Sequence, residues 1–202
     1  MLLPCRVVLK QLDLHKQWID SIGETGERLV VDEVDFRSID VAEYRLVESR
    51  LIASTFDGMN LKDKDFYAAH LYSSTFRSAN LENAIFIKSE ASYADFSNAN
   101  LQKTNFVKSS CFETVFAQAD LRKAKLVNAL FYQADFRDAD LQDADIRYSS
   151  FEEVLFRGAQ LKGVTGLEEA TIISINIGTL EQPVILAEEE AREWLIQQIH
   201  TP

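Results

Sequence analysis

From Phe36 to Leu161 an apolar residue returns at every fifth position, through 26 consecutive units without an insertion. The series opens Phe36, Val41, Leu46, Leu51, Phe56 and closes Ile146, Phe151, Phe156, Leu161. A period of five fits neither the 3.6-residue turn of an α-helix nor the two-residue alternation of a flat strand. Self-similarity at a fixed period marks a solenoid, whose units bury their apolar faces against one another. Two residues before each apolar position the side chain is usually small, as at Ala69, Ala79, Ala84, Ala94 and Ala99. Asp or Asn often stands between the two, as in Ala79-Asn80-Leu81 and Ala139-Asp140-Leu141.

A longer period lies over the short one. Every twentieth residue gives Phe36, Phe56, Phe76, Phe96, Phe116, Phe136 and Phe156, and the next column is Val41 followed by Leu61, Leu81, Leu101, Leu121, Leu141 and Leu161. Identity at twenty is expected if the columns stack in successive coils of four five-residue sides. A three-sided coil would instead set Phe36 against Leu51. The third column (Leu46, Phe66, Phe86, Phe106, Leu126, Ile146) and the fourth (Leu51, Leu71, Ala91, Cys111, Phe131, Phe151) compensate in volume. Close packing requires this, since voids and overpacking each cost about 1–3 kcal/mol. Cys111 therefore reads as a core filler rather than a reactive thiol.

On these motifs the sequence resembles the pentapeptide-repeat family, whose unit reads Ala-(Asp/Asn)-Leu-X-X, over roughly residues 32–164. The resemblance implies an all-β solenoid, a right-handed quadrilateral parallel β-helix. With 26 units it would have about six to seven coils and, at about 4.8 Å per coil, a length of about 30 Å. Its corners would use backbone geometry open to small and polar L-residues, which accounts for a chain with only seven glycines and three prolines.

Both ends need caps, because a stack of strands otherwise leaves open edges. Residues 1–31 are expected to cap the first coil with a short amphipathic helix over Lys10–Ser21. Leu14 and Trp18, with Leu12 and Ile19, would share one side, His15 would be a helix-surface or cap residue, and Gly23 would stop the helix. The coil domain spans 32–165. Within 166–202, Thr171–Gly178 reads as a strand, Pro183–Leu186 as a second apolar run and Glu188–Ile199 as a helix with three glutamates in its first turn. Ala191, Trp194, Leu195 and Ile199 line one face of that helix. The face either folds onto the last coil or makes a homodimer contact, and the resemblance favours the dimer.

The sequence holds no phosphate-cradling glycine loop, HExxH, paired CxxC or Gly-x-Ser-x-Gly motif, so no catalytic, cofactor-binding or metal-ligating residue is assigned. Two distant cysteines, an opening Met1–Arg6 unlike a signal peptide and no long apolar run point to a cytoplasmic chain away from membranes. A net charge of −11 argues against direct nucleic-acid binding. What remains is a non-enzymatic surface that takes a protein partner.

Two such surfaces are candidates. The resemblance implies that quinolone-resistance relatives imitate duplex DNA at gyrase or topoisomerase IV, and the carboxylates placed for this are Asp120, Asp135, Asp138, Asp140, Asp143 and Asp145. Against it, residues 32–165 hold 21 acids and 16 bases, a net of −5, where a DNA segment of that length carries about 18 phosphates. The alternative is a scaffold. The residue after each inward position faces outward, yet it is apolar at Val47, Tyr67, Ile87, Val107 and Val127 on the third side, and at Ile52, Tyr72, Phe112 and Tyr132 on the fourth. Such stripes mark either an interaction site or the ordinary preference of strands for β-branched and aromatic residues. The charge balance makes the scaffold the first reading and the topoisomerase the second.

Overall fold

A computed structural model describes residues 5–200; Met1–Pro4, part of the stretch read as unlike a signal peptide, lie outside the described residues. The elements are α1 (Cys5–Asp20), β1 (Val30–Asp32), β2 (Arg50–Ile52), β3 (Leu130–Tyr132), β4 (Ser150–Glu152), β5 (Val154–Leu155), β6 (Thr171–Ile172), β7 (Ser174–Asn176), β8 (Ile185–Ala187) and α2 (Glu188–Ile199). Few residues count as strand because each side of the coil is only about one bridge long. The ladder nevertheless runs from the first coil to the last. Parallel bridges join residues twenty apart from Asp35↔Thr55 to Asp145↔Thr165, with β1 on β2 and β3 on β4 in the same register.

That register follows from the core. All 26 residues of the five-residue series are buried. Phe36, Phe56, Phe76, Phe96, Phe116, Phe136 and Phe156 stack at centroid separations of 4.6–5.5 Å with rings within 13° of parallel. Phe66, Phe86 and Phe106 form a second stack that meets the first edge-on, Phe86 lying 5.5 Å from Phe96 at 86°. Aromatic quadrupoles favour this mixture of offset and edge contacts. Cys111 is fully buried between them, and burial pushes its thiol up to about 12, as expected of a filler.

The corners explain the other repeated positions. From Glu48 to Gly163 every unit turns through a residue at positive φ, and all but Gly58, Gly158 and Gly163 are not glycine, with φ of 44–61° among the non-glycine residues of the chain. These include Lys88, Tyr93 and Glu113, so the corner tolerates large side chains as well as small polar ones. A left-handed L-residue costs about 1–2 kcal/mol. Here nearly all of those in the coils are held by a bond to the next coil, as Lys88 N–H donates to the Val107 carbonyl at 2.9 Å. Where a unit carries Asp or Asn before the inward residue, its side chain fixes the turn by accepting the N–H two residues on: Asp65 from Tyr67 (2.9 Å), Asp135 from Arg137 (3.0 Å) and Asp140 from Gln142 (3.0 Å). The small position packs inside the corner. Where it is Ser or Thr, the hydroxyl donates to a carbonyl, as from Ser89 to Phe86 (2.8 Å) and Thr104 to Leu101 (2.6 Å).

Lys64 occupies one of these small positions. Its stem fills the corner and its ammonium donates to the carbonyls of Val41 (2.6 Å), Ala42 (3.0 Å) and Tyr44 (3.0 Å). Among the described residues no bridge links 40 to 60 or 45 to 65, so the lysine serves carbonyls that the ladder leaves open.

The caps differ from expectation in detail. Helix α1 begins at Cys5, earlier than residue 10, and buries Val8, Leu12 and His15 rather than Leu14 and Trp18. Gly23 does end it, at φ +88° with its N–H on the Trp18 carbonyl. His15 is a buried residue of the cap rather than of the helix surface: its Nδ1 accepts the Leu29 N–H at 3.0 Å and its ring lies by the Val47 backbone. Tyr44 donates its hydroxyl to Asp13 at 2.8 Å, tying the helix to the second side.

At the far end one extra residue enters the coil, and pairing shifts from twenty to twenty-one at Ser150↔Thr171 and Val154↔Ile175. Strand β8 then turns back antiparallel on β7 and stands at the edge of that sheet. Helix α2 lies across the last coil. Ala191 and Leu195 are buried, and Trp194 and Ile199 pack against the core. Arg192 donates to the carbonyls of Leu167 (2.6 Å) and Ala170 (3.0 Å), repeating at this end what Lys64 does at the other. The face assigned to a dimer contact is thus used within the chain, because the last apolar coil must be covered by something.

Candidate interaction surface

The fourth side carries the densest exposed aromatic surface. Its inward column runs Leu51, Leu71, Ala91, Cys111, Phe131, Phe151, so the next residue of each unit points out. Tyr72 is 47% exposed, Phe112 40% and Tyr132 36%, while Ile52 is half-buried. Two neighbours join them that alternation along the side does not place there. Tyr93 sits at a left-handed corner and leans back so that its ring lies 4.9 Å from that of Tyr72. Leu130, one residue before the inward Phe131, is 43% exposed. The signal for Tyr93 was an aromatic in a corner slot that, Tyr148 apart, holds small, polar or charged residues from Glu48 to Gly163.

The third side is different. Val47 is buried, 8% exposed, because it lies beside His15 under α1, and it leaves the proposed stripe. Tyr67, Ile87, Val107 and Val127 are each half-buried between coils. Tyr67 is further covered by Lys88, whose ammonium donates to its hydroxyl at 2.9 Å. These four make a continuous but shallow strip.

The six carboxylates of the later coils divide by environment. Asp120, Asp135 and Asp145 each hold the arginine two residues on, Arg122, Arg137 and Arg147, at 2.6 Å. Asp140 reaches Arg122 at 3.6 Å. Arg147 keeps the Asp145 carboxyl below the usual carboxylate range. Asp138 and Asp143 stand exposed at corners and enter no ion pair among the described residues. The sequence placed all six in one field; the structure neutralises four of them locally and uses their oxygens to fix turns.

At the corner between the fourth and first sides the surface becomes concave. A cleft of about 660 Å³ runs along Glu113, Gln133 and Glu153, with Val115, Asp135 and Leu155 as its floor and Leu180, Pro183 and Ile185 of the β7–β8 hairpin as its far wall. Among the described residues no group of His, Cys, Asp and Glu is arranged to hold a metal ion, and no helix is long and apolar enough to cross a membrane.

The sequence profile for pentapeptide repeats matches in eight copies, over residues 49–86, 65–102, 86–110, 114–147 and 134–165, more than half of the chain. The chain belongs to the pentapeptide-repeat family. No curated protein matches its sequence. Among solved structures, this pentapeptide-repeat chain is similar to two trypsin-treated variants of QnrB1, a plasmid-mediated fluoroquinolone resistance protein. Each has 17% identity and a TM-score of 0.51, over 70% and 72% of this chain and 67% and 71% of theirs. A pentapeptide repeat protein from the Arabidopsis thaliana thylakoid lumen matches at 19% identity and a TM-score of 0.38, over 72% of this chain and 86% of that one. At these identities the likeness is one of fold.

Proposed function

We propose that this chain is a non-enzymatic interaction module whose binding face is the fourth side of the coil. The observation that carries the proposal is the exposed row of Tyr72, Tyr93, Phe112, Leu130 and Tyr132 on a rigid ladder. Exposed aromatics on a surface that loses little entropy on binding are the residues that dominate protein interfaces. The third-side strip of Tyr67, Ile87, Val107 and Val127 is the secondary contact. Imitation of DNA at gyrase or topoisomerase IV is the second reading; the shared fold with QnrB1 supports it, and the arginine pairing of Asp120, Asp135, Asp140 and Asp145 weighs against it.

One comparison tests both. The Tyr72→Lys/Tyr132→Lys variant is expected to lose a protein that the unaltered chain retains at moderate salt, while Asp135→Asn/Asp145→Asn keeps it. The converse pattern, together with inhibition of gyrase supercoiling that the Asn variant lacks, would replace the scaffold by the mimic. Self-association through the C-terminal end is a separate proposal. Its surface would have to be Val184, Ile185 and Ile196, which remain exposed, because Ala191 and Leu195 are spent on the last coil. Light scattering of a Val184→Glu/Ile185→Glu variant that matches the unaltered protein would refute it.

A further inference from the structure

The cleft at the fourth corner joins two surfaces of different chemistry. On one side stand Tyr93, Phe112 and Tyr132, with Phe112 and Tyr132 edge-on at 6.4 Å. On the other stand the apolar hairpin residues Leu180 (64% exposed) and Ile185 (51%). The ridge between them is acidic. The negative charge of Glu153, then burial, then the charges of Glu152 and Glu113 raise the pKa of the Tyr132 phenol, and hydrogen bonding to the Glu113 carboxylate does the same to Tyr93. None of the three glutamates enters an ion pair among the described residues, in contrast to Asp120, Asp135 and Asp145. Asp135 at the floor is already taken by Arg137, and the Glu153 carboxylate accepts from the Gln133 amide. Aromatic faces beside unpaired carboxylates, open to solvent and backed by an apolar wall, are the environment that holds an alkylammonium or guanidinium group.

Resting on the interaction-module reading, we infer that this corner binds an extended basic peptide segment of a partner protein, lying along the coil axis, with two Arg or Lys residues three apart. The spacing follows from the fold. Glu113 and Glu153 occupy the same position two coils apart, about 10 Å at about 4.8 Å per coil, and one turn of an extended polyproline II chain, three residues at about 3.1 Å each, spans nearly that distance and returns the second cation to the same side. The apolar residues between the two cations then face Phe112 and Tyr132 on one side and the hairpin wall on the other. Acidic charge on the ridge selects cations and repels acidic segments.

The test is a titration of the isotopically labelled full chain with acetyl-Gly-Arg-Leu-Val-Arg-Gly-amide, followed by amide chemical shifts. Shifts are expected at Tyr93, Phe112, Glu113, Tyr132, Glu153 and Ile185. Binding should weaken about tenfold in Glu113→Gln/Glu153→Gln and at raised salt, and the Glu-for-Arg peptide should not bind. No shift at millimolar peptide, shifts confined to other sides, or equal binding by the double Gln variant would each overturn the inference. The failure is separable from that of the parent reading. A partner that is lost with Tyr72→Lys/Tyr132→Lys but is indifferent to salt and to Glu113→Gln/Glu153→Gln keeps the interaction face and refutes the basic segment.

Discussion

Excising residues 97–116 removes one whole coil, and the register argument says the rest should close over the gap. The cut joins Phe96 to Ala117, the bond Phe116 makes now. Phe96 then begins a coil of Phe96, Leu121, Leu126 and Phe131, matching the native coil that begins at Phe116. The coil below it presents Phe76, Leu81, Phe86 and Ala91 in place of Phe96, Leu101, Phe106 and Cys111. Across the new junction the core therefore differs in a single residue, Ala for Cys, worth about 1 kcal/mol, apart from the loss of one coil. Excising only residues 107–111 is the instructive contrast. It keeps every inward position apolar but turns the later columns by one side, so that Phe116 lands over Ala91 and Phe96 meets Leu121 instead of the stacked Phe116 at 5.3 Å. One overpacked site costs about 1–3 kcal/mol and one large-to-small vacancy about 2–5 kcal/mol, which together approach the stability of a whole domain. Urea unfolding followed by circular dichroism should show a cooperative transition for the twenty-residue excision near that of the parent, and small-angle scattering a rod shorter by about 4.8 Å. The five-residue excision should unfold at much lower urea. Equal stability of the two would refute the assignment of the columns.

Three further outcomes follow from single residues. Burial, with the nearby Arg28 cation, lowers the pKa of His15, so the unfolded chain binds the proton more readily and stability should fall as pH drops below about 6.5; a His15→Gln variant with the same slope between pH 6.5 and 5 in thermal melts would contradict this. Lys64→Met should cost about 2–3 kcal/mol, because the Val41, Ala42 and Tyr44 carbonyls lose a charged donor, and a chemical-denaturation midpoint within error of the parent would contradict that. Lys123→Gly relieves a left-handed corner at φ 60° and should stabilise by about 0.5–1 kcal/mol, whereas a loss of stability would mean the corner is not strained.

The coil was legible in the sequence because its neighbours in space lie at one fixed separation in the chain. Stacking requires like on like at twenty, so Phe36 through Phe156 state the register, and the exchange of Phe106/Cys111 for Leu126/Phe131 states that the third and fourth columns share one volume. The Asp-X-Arg spacing of Asp120, Asp135 and Asp145 with Arg122, Arg137 and Arg147 was also present, but its meaning depends on the turn. Only when the backbone bends back do side chains two residues apart close into an ion pair, turning an acidic field into a set of turn staples. The caps belong to tertiary structure altogether. Nothing periodic dictates that α1 presents Val8, Leu12 and His15, that Val47 is consequently covered, or that α2 gives its apolar face to its own last coil. Those contacts occur once, between surfaces with no fixed separation in sequence, and are chosen by which unpaired edge and which open carbonyls each end of the ladder leaves to be covered.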